Sequence, residues 1–453
     1  MRRSLLAIAT CAAVAACGRD RTSSARSLPR AVILLVIDAL RADHVSCYGY
    51  ARATTPGLDQ LARDGVLFAN AYSAANWTKP STASVFTGLL AHHHGVMVGH
   101  LKREATGQVV ADVMSDDLVT LAEIMTRAGY RSAGCTENRH IAERYGFAQG
   151  FESYGVAKID HLANWIRKAR GTRLFAFAHV MGPHEPYDPR ADVSFAPYRE
   201  KFGKYPSRID FGKYDYKRMT SFTADDTEQA AALYDAKINQ CDEQVVGPFV
   251  EQLRQLDVYD HAWIIVTSDH GEELGEHGKI GHGESLYEES LRVPLIVKPP
   301  RGFAGIARGS SISARVSTLS LYATLAEIAQ VPVPPGDGMS LLPALRGETL
   351  ETRPIVAEFG RFKKGQLHAA CVIQGSKKLI RYYDPGAPPA LFDLQRDAEE
   401  RQSQDPALSP AGRALESLLV GIVNPTGAAA TSGSASSVSP DEQRELEALG
   451  YGH

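Results

Sequence analysis

Three apolar runs constrain this 453-residue chain more than anything else in it: AVILLVID (31–38), GTRLFAFAHV (171–180) and HAWIIVTSD (261–269). Each has the length of a strand, and none alternates apolar with polar residues. A strand that is apolar on both faces must be covered on both faces, as happens inside a parallel α/β sheet. Helical segments separate the runs. TTPGLDQLARDG starts on Thr-Pro, spaces Leu58 and Leu61 onto one face and stops at Gly65. LVTLAEIMTRAGY stops at Gly129 and is followed by a short strand, RSAGCT, while EQAAALYDAKINQCDEQVVGPFVEQLRQL reads as one long amphipathic helix. This alternation predicts a doubly wound α/β domain over residues 31–349. Ligands of such sheets bind just past the carboxyl ends of the strands. Asp38, His179 and Asp269 occupy three of those ends.

The character changes near residue 350. LHAACVIQGSKKLIRYY and PALFDLQRD read as short antiparallel strands of a smaller α+β subdomain, residues 350–453, in which a Gly/Ala/Ser-rich stretch at about 423–440 predicts a flexible loop and DEQRELEALGYGH a final helical turn or two. At the other end, MRRSLLAIATCAAVAACGRD is a basic start followed by an apolar run too short to span a bilayer. Its VAAC resembles a bacterial lipobox, which implies cleavage before Cys17, a lipid anchor on that cysteine and a periplasmic location; a plain secretory signal is the alternative. Residues 18–30 then read as a tether. Cys47, Cys135, Cys241 and Cys371 show no ligand-like spacing, so they are buried thiols or one or two disulfides. A net charge of −3 gives no reason to expect nucleic acid as a partner, and any anion binding must be local.

Chemistry-bearing residues crowd two segments. In IVTSDHGEELGEHGKIGHGESLYEE (265–289), Asp269 and His270 stand side by side at a strand end, half of a divalent metal site. Glu272, Glu273, Glu276, His277 and His282 follow in a Gly-rich loop, which reads as part of a site or as a solvated surface. Asp38 offers a second strand-end carboxylate; its bland alternative is the N-cap of ALRAD. In NWTKPSTASVFTGLLAHHHG (76–95), Pro80 suits the first turn of a helix, which puts Thr78 at an N-terminus able to face an anion. Thr78 is a nucleophile there or a simple cap, and Ser81 reads as a cap. Lys79 screens a substrate's charge or is solvated. His92, His93 and His94 form either a metal cluster or a buried His94 at the sheet end beside two exposed rings. YREKFGKYPSRIDFGKYDYKR (198–218) interleaves aromatics with cations, as a lid over an anionic glycan or lipid headgroup or a nucleic-acid surface would, or as an amphipathic insertion packing its aromatics on the domain.

Taken together and in order, IDALRADHVSCYGYARATTPGLDQLARDGVLFANAYSAANWTKPSTASVFTGLLAHHHG, TLAEIMTRAGYRSAG, MGPHEPY, TSDHGEELGEHG, YEESLRVPLIVKPP, ALFDLQRDAEER and LEALGY resemble the sulfatase family of the alkaline-phosphatase superfamily. The resemblance spans residues 31–405 and 440–451. It implies an α/β sandwich with a large, mostly parallel central sheet and a smaller C-terminal sheet. It also implies a metal held by Asp38, Asp269, His270 and the nucleophile position Thr78. His184 of GPHEPY matches a substrate-contacting histidine, His282 falls near a base that protonates the leaving group, and His140 falls near the family's GKWH box, which touches the anion, with Asn138 in place of its Lys and Arg139 able to supply charge nearby.

The chain departs from the family pattern at the nucleophile. The box reads Thr78-Lys79-Pro80-Ser81-Thr82 where sulfatases carry Cys or Ser, later oxidised to formylglycine, and a closing Arg. The second Asp of the usual pair is Ala39. A Thr sulfate ester lacks the collapse that releases sulfate from a formylglycine hydrate, whereas a Thr phosphate ester can be opened by in-line attack on phosphorus. Loss of an oxygen ligand and gain of an imidazole favour Mn²⁺ or Zn²⁺ over Ca²⁺. The expected activity is cleavage of a sulfate or phosphate ester on a glycan, lipid or small molecule. The resemblance extends to phosphoglycerol and phosphoethanolamine transferases, so transfer to a sugar or lipid is an alternative, and a non-catalytic binding lipoprotein is another.

Overall fold

The computed structural model describes residues 28–99, 101–102, 108–189, 224–305, 307–332, 336–360, 367–383, 387–423, 436–439 and Arg444. The leader with Cys17, most of the tether, the aromatic and basic segment 198–218 and the final helical turns lie outside these residues.

A nine-stranded sheet organises the described residues. Its strands are β1 (Ala31–Ile37), β2 (Val66–Tyr72), β3 (Arg131–Thr136), β4 (Ser153–Val156), β5 (Leu174–Val180), β6 (Ala262–Thr267), the short β7 (Arg292–Val293), β8 (Leu295–Lys298) and β9 (Ser310–Ser317). β1 lies between β5 and β6 and is parallel to both; β3 and β4 continue beyond β5, also parallel. On the other side β8 pairs antiparallel with both β6 and β2, and β9 is parallel to β2. The three apolar runs are therefore the middle strands, and every residue of β1, β5 and β6 is buried.

Alternation along these strands feeds two cores. Ile33, Leu35, Ala176 and Ala178 face one layer, built with α1 (Pro56–Asp64), the helix Ile159–Lys168 and the segment Ala224–Gln255. Val32, Leu34, Val36, Phe175 and Phe177 face the other, built with α2 (Thr78–Thr87), the helix Leu121–Arg127 and the helix Ser320–Ile328. Continued past the strand ends, the same parity sends Asp38 and His179 to the α2 side.

The expected single long helix is broken. It runs Ala224–Cys241, widens into a π turn at Asp242–Val246 and resumes at Gly247–Gln255. Pro248 lacks an amide proton and crowds the preceding turn, which loosens the ladder there. The turn presents Asp242 to the start of α1, where its carboxylate accepts the amides of Gly57 and Leu58 at 2.6 and 3.0 Å.

The C-terminal subdomain is a four-stranded antiparallel sheet, Ile355–Gly360, Leu367–Gln374, Lys377–Tyr382 and Ala390–Asp393 in that order, with the helix Pro410–Ile422 on one face. The expected loop at 423–440 needs correction at its end: Ser436–Ser437 is a strand paired antiparallel with Val109–Ala111. Cys47, Cys135, Cys241 and Cys371 are free thiols. Among the described residues no helix is long and apolar enough to cross a membrane.

Candidate active site

Beyond β1 the chain turns sharply. Asp38 N donates to Val180 O at 2.9 Å, and Ala39 takes a left-handed conformation with φ 58°. The Ala39 carbonyl accepts the Tyr234 hydroxyl at 2.5 Å, which fixes the turn from the helical layer below. Ser268 at the end of β6 stitches the two strand ends together: its hydroxyl donates to Ile37 O at 2.6 Å and accepts Leu40 N at 2.9 Å. Asp269 follows. Its Oδ1 accepts the amides of His270 and Ala39 at 3.1 and 3.3 Å, which leaves Oδ2 directed at the space beside Asp38. Gly271 is required next, because a Cβ there would meet Glu289 O at 1.9 Å.

Thr78 is the first residue of α2, after Trp77, which caps without a side-chain bond. Ser81 is therefore inside the helix rather than at its cap. Its hydroxyl donates to Asp269 O at 2.5 Å, and Ser73 bonds the same carbonyl, so the helix is tied to the very loop that carries the metal-ligand candidates. Thr78 Oγ1 lies 3.3 Å from His270 Nε2 and accepts Asn138 Nδ2 at 3.3 Å. The same amide donates to Asp38 Oδ2 at 2.9 Å. His270 Nδ1 lies 2.7 Å from Gly271 O and so carries a proton; its Nε2 faces Asp38 Oδ1 at 3.3 Å and Asp269 Oδ2 at 3.8 Å. Donor atoms of Asp38, Asp269 and His270 all lie within 4.8 Å of one another and are buried.

This cluster fits a divalent cation. Asp38 Oδ1 is buried yet accepts no hydrogen bond among the described residues. Burial alone would raise the Asp38 pKa, but the imidazoles of His184, His270 and His179 outweigh it and hold the carboxyl far below its usual range. Burial opposes charge on His270 as well, yet Asp269 and Asp38 pull its pKa up to about 9. Two buried carboxylates facing the ring nitrogens of His270 and His179 call for positive charge between them, from protons on those nitrogens or from a cation. Carboxylate oxygens, an imidazole and a hydroxyl are an ordinary ligand set for such an ion.

Two further imidazoles stand over this floor. The His282 ring centroid lies 4.5 Å from that of His270 and 4.8 Å from that of His184. His184 Nδ1 bonds Glu185 O at 2.6 Å, which leaves Nε2 unprotonated in the neutral ring. His282 Nδ1 is 3.2 Å from Glu272 Oε1. Burial, and then His270, press the His282 pKa down to about 3, and burial raises Glu272 to about 8 against the pull of His184 and His270. Glu272 and Glu273 are fully buried, not solvated loop residues.

The other sequence candidates stand apart. Lys79 is neither solvated nor directed at this cluster: its buried Nζ lies 3.9 Å from the Tyr145 ring centroid and 3.5 Å from Val98 O, beneath α2. Arg139 is half-buried in the short turn Arg139–Ile141, and His140 packs edge-on against Trp77 with centroids 5.8 Å apart, next to Thr78 rather than on it. His94 is buried, but against α2 rather than at the sheet end, with Nε2 3.1 Å from Ser84 Oγ. His92 and His93 pair with Glu358 and Asp337. His179, read in the sequence as a strand-end residue able to serve as ligand or base but not carried into the metal set, lies at the centre: its Nε2 is 3.0 Å from Asp269 Oδ2 and 3.8 Å from Asp38 Oδ2. Glu272 was named only within a loop that reads as part of a site or as a solvated surface, Ser81 only as a cap, and Ser73 and Ser268 not at all; burial and long-range contacts distinguish them.

The family model described as Sulfatase matches residues 30–158 and 156–331, and that described as N-sulphoglucosamine sulphohydrolase, C-terminal, matches residues 275–418. Among curated relatives, arylsulfatase K of Gallus gallus is 24% identical over 472 residues, covering 90% of this chain and 85% of its own length. The Delta 4,5-hexuronate-2-O-sulfatase of Bacteroides thetaiotaomicron is 22% identical over 417 residues, covering 83% and 85%. Among solved structures, the phosphonate monoester hydrolase of Agrobacterium radiobacter shares the fold with a TM-score of 0.64 at 21% identity, over 86% of this chain and 95% of that one. So does a protein in complex with its substrate D-glucosamine-2-N, 6-O-disulfate, with a TM-score of 0.67 at 20% identity, over 87% and 97%. With the first family model alone running from residue 30 to residue 331, this chain belongs to the sulfatase family.

Proposed function

We propose that the protein is a metal-dependent hydrolase of sulfate or phosphate esters, with Thr78 as its nucleophile and no need of formylglycine. The observation that carries this reading is the Thr78 hydroxyl, at the N-terminus of a buried helix and 3.3 Å from His270 Nε2, a ring nitrogen that faces both Asp38 and Asp269. Asp38, Asp269, His270 and Thr78 would hold the cation, which when bound would lower the hydroxyl's pKa and offset the ester's negative charge. Asn138 holds Thr78 Oγ1 and Asp38 Oδ2 in one orientation through a single amide, so the nucleophile is aimed before substrate arrives. The amides of the first turn of α2 offer positive ends to the ester's oxygens. His282, backed by Glu272, is placed to donate a proton to the departing oxygen, and an incoming anion would raise its proton affinity. His184 presents an unprotonated Nε2 to the same space and accepts a hydrogen bond from a protonated ester or from water.

Thr favours phosphorus over sulfur, because its ester must be opened by a second attack at the same atom. The likeness to a phosphonate monoester hydrolase agrees with that preference, while the sulfated-glycan enzymes among the relatives keep sulfate within the substrate class. The VAAC leader supports anchoring at Cys17 on the periplasmic side of a bacterial membrane, where extracytoplasmic glycans and lipids present such esters.

The test is a panel of aryl sulfate, aryl phosphate, phosphodiester and phosphonate monoester, offered with Mn²⁺ or Zn²⁺ to the wild type and to Thr78→Ala. Turnover of phosphorus esters that falls to background in the variant is expected. Equal turnover by both proteins, or none with any metal, would refute the proposal; phosphoryl groups appearing on an added sugar instead of as free phosphate would reassign it as a transferase.

A further inference from the structure

We infer that His179 is a ligand of the cation and fills the coordination place that Ala39 leaves empty. This rests on the reading of Asp38, Asp269 and His270 as a cation site. His179 is the penultimate residue of β5 and pairs in register with Val36 of β1 and Thr136 of β3. Strand parity puts its ring on the face of Phe175 and Phe177, the face that carries α2 and Thr78. It therefore reaches the two acids from the strand next to Asp38, with no contribution from a loop.

The distances come close to those of one coordination shell. Ligands bound at 2.0–2.2 Å to an octahedral or tetrahedral ion stand about 2.8–3.6 Å from their nearest neighbours, so the two shorter separations fall inside that range and the two longer ones just beyond it. His179 Nε2 is 3.0 Å from Asp269 Oδ2 and 3.8 Å from Asp38 Oδ2, and His270 Nε2 is 3.3 Å from Asp38 Oδ1 and 3.8 Å from Asp269 Oδ2. Each ring thus spans both carboxylates. A purely orienting hydrogen bond from His179 would be redundant for Asp269, whose Oδ1 is already fixed by the amides of Ala39 and His270. It would also leave unexplained why the same nitrogen lies over Asp38. Both rings therefore face the same pair of buried carboxylates, the arrangement of ligands around a shared cation. The result is two carboxylates, two imidazoles and the Thr78 hydroxyl, a nitrogen-rich set that suits Zn²⁺ or Mn²⁺ and disfavours Ca²⁺.

The probe is Co²⁺, added at one equivalent to the chelator-stripped full chain. Each coordinated imidazole contributes one hyperfine-shifted, exchangeable N–H resonance to the proton spectrum in H₂O. Two such resonances are expected in the wild type and one in His179→Gln, with at least tenfold weaker Co²⁺ affinity in competition with a coloured chelator. One resonance in the wild type, or two that persist in His179→Gln, overturns the role of His179 while leaving the site intact. Should His179→Gln fail to fold, the wild-type count still decides between one and two. No bound Co²⁺ after desalting and no shifted resonance would overturn the site itself, a failure distinct from the other two.

Discussion

Replacing Lys79 by Met should make the protein more stable, and more so at low pH. The amine is fully buried, sits on the Tyr145 ring and is 3.5 Å from a carbonyl oxygen; neither replaces the water it gave up. Burial pushes its pKa down to about 7 from an ordinary 10.5, with Asp112 opposing and Arg144 adding to the drop. A base whose pKa is depressed on folding binds fewer protons in the native state, so stability rises with pH between the folded and unfolded values. Below about pH 7 the native state bears the whole cost, roughly 5 kcal/mol from that difference at 1.36 kcal/mol per decade. Local relaxation will leave less, and an effect of about 2 kcal/mol or more is expected at pH 6. Met keeps the length and helix propensity and removes the charge. Urea unfolding of both proteins between pH 6 and 9.5 is the assay. The midpoint of Lys79→Met should exceed the wild type's at pH 6, the gap should narrow as pH rises, and kcat/KM on an aryl phosphate should stay within about threefold. A gap that does not change with pH, or a variant that is less stable at pH 6, would show that the amine is paired and charged in the native state.

Other outcomes follow from the same structure. Asn138→Ala removes the bridge between Thr78 and Asp38 and should lower kcat about 10- to 100-fold with little change in KM, measured at saturating metal. Asp242→Ala strips α1 of its acceptor for two amides and should cost about 1–2 kcal/mol in urea unfolding, with activity retained. Metal at 100 times its Kd should add about 2.7 kcal/mol to the stability of the chelator-treated protein and raise its Tm; no shift with Mn²⁺ or Zn²⁺ would argue against the buried site. Cys17→Ser should move the protein from the membrane to the soluble fraction of lysed cells, and unchanged fractionation would rule out a lipid anchor.

The central sheet was legible because a parallel strand is buried on both faces and so leaves an unbroken apolar run, with its functional residue at the tip. Asp38 and Asp269 were placed at strand ends that way, and Thr78 at a helix start through Pro80 in the first turn, while its nucleophile position came from the resemblance to sulfatases. What could not be read were properties set by distant partners. The side of α2 on which Lys79 lies depends on how the helix packs, since its small polar and apolar residues form no stripe and every one of them is buried. His179 stood at a recognised strand end, yet its role depends on two carboxylates from other strands. Ser81 reads as a cap and nothing local marks Ser73 or Ser268; only contacts across the fold show that they bind the Asp269 carbonyl or the strand ends. Glu272 and Glu273 sit in a Gly-rich charged stretch whose composition suggests solvent, while the structure buries both. The strand at Ser436–Ser437 has no pattern of its own and exists only through its pairing with Val109–Ala111.

Quenching the wild-type reaction on an aryl phosphate in acid within a single turnover, then mapping the peptides by mass, tests most directly whether Thr78 attacks the ester. One phosphoryl group on the peptide containing Thr78, lost in Thr78→Ala, is the expected result. Product formed at full rate by Thr78→Ala, or a phosphoryl group trapped on any other residue, would contradict the account.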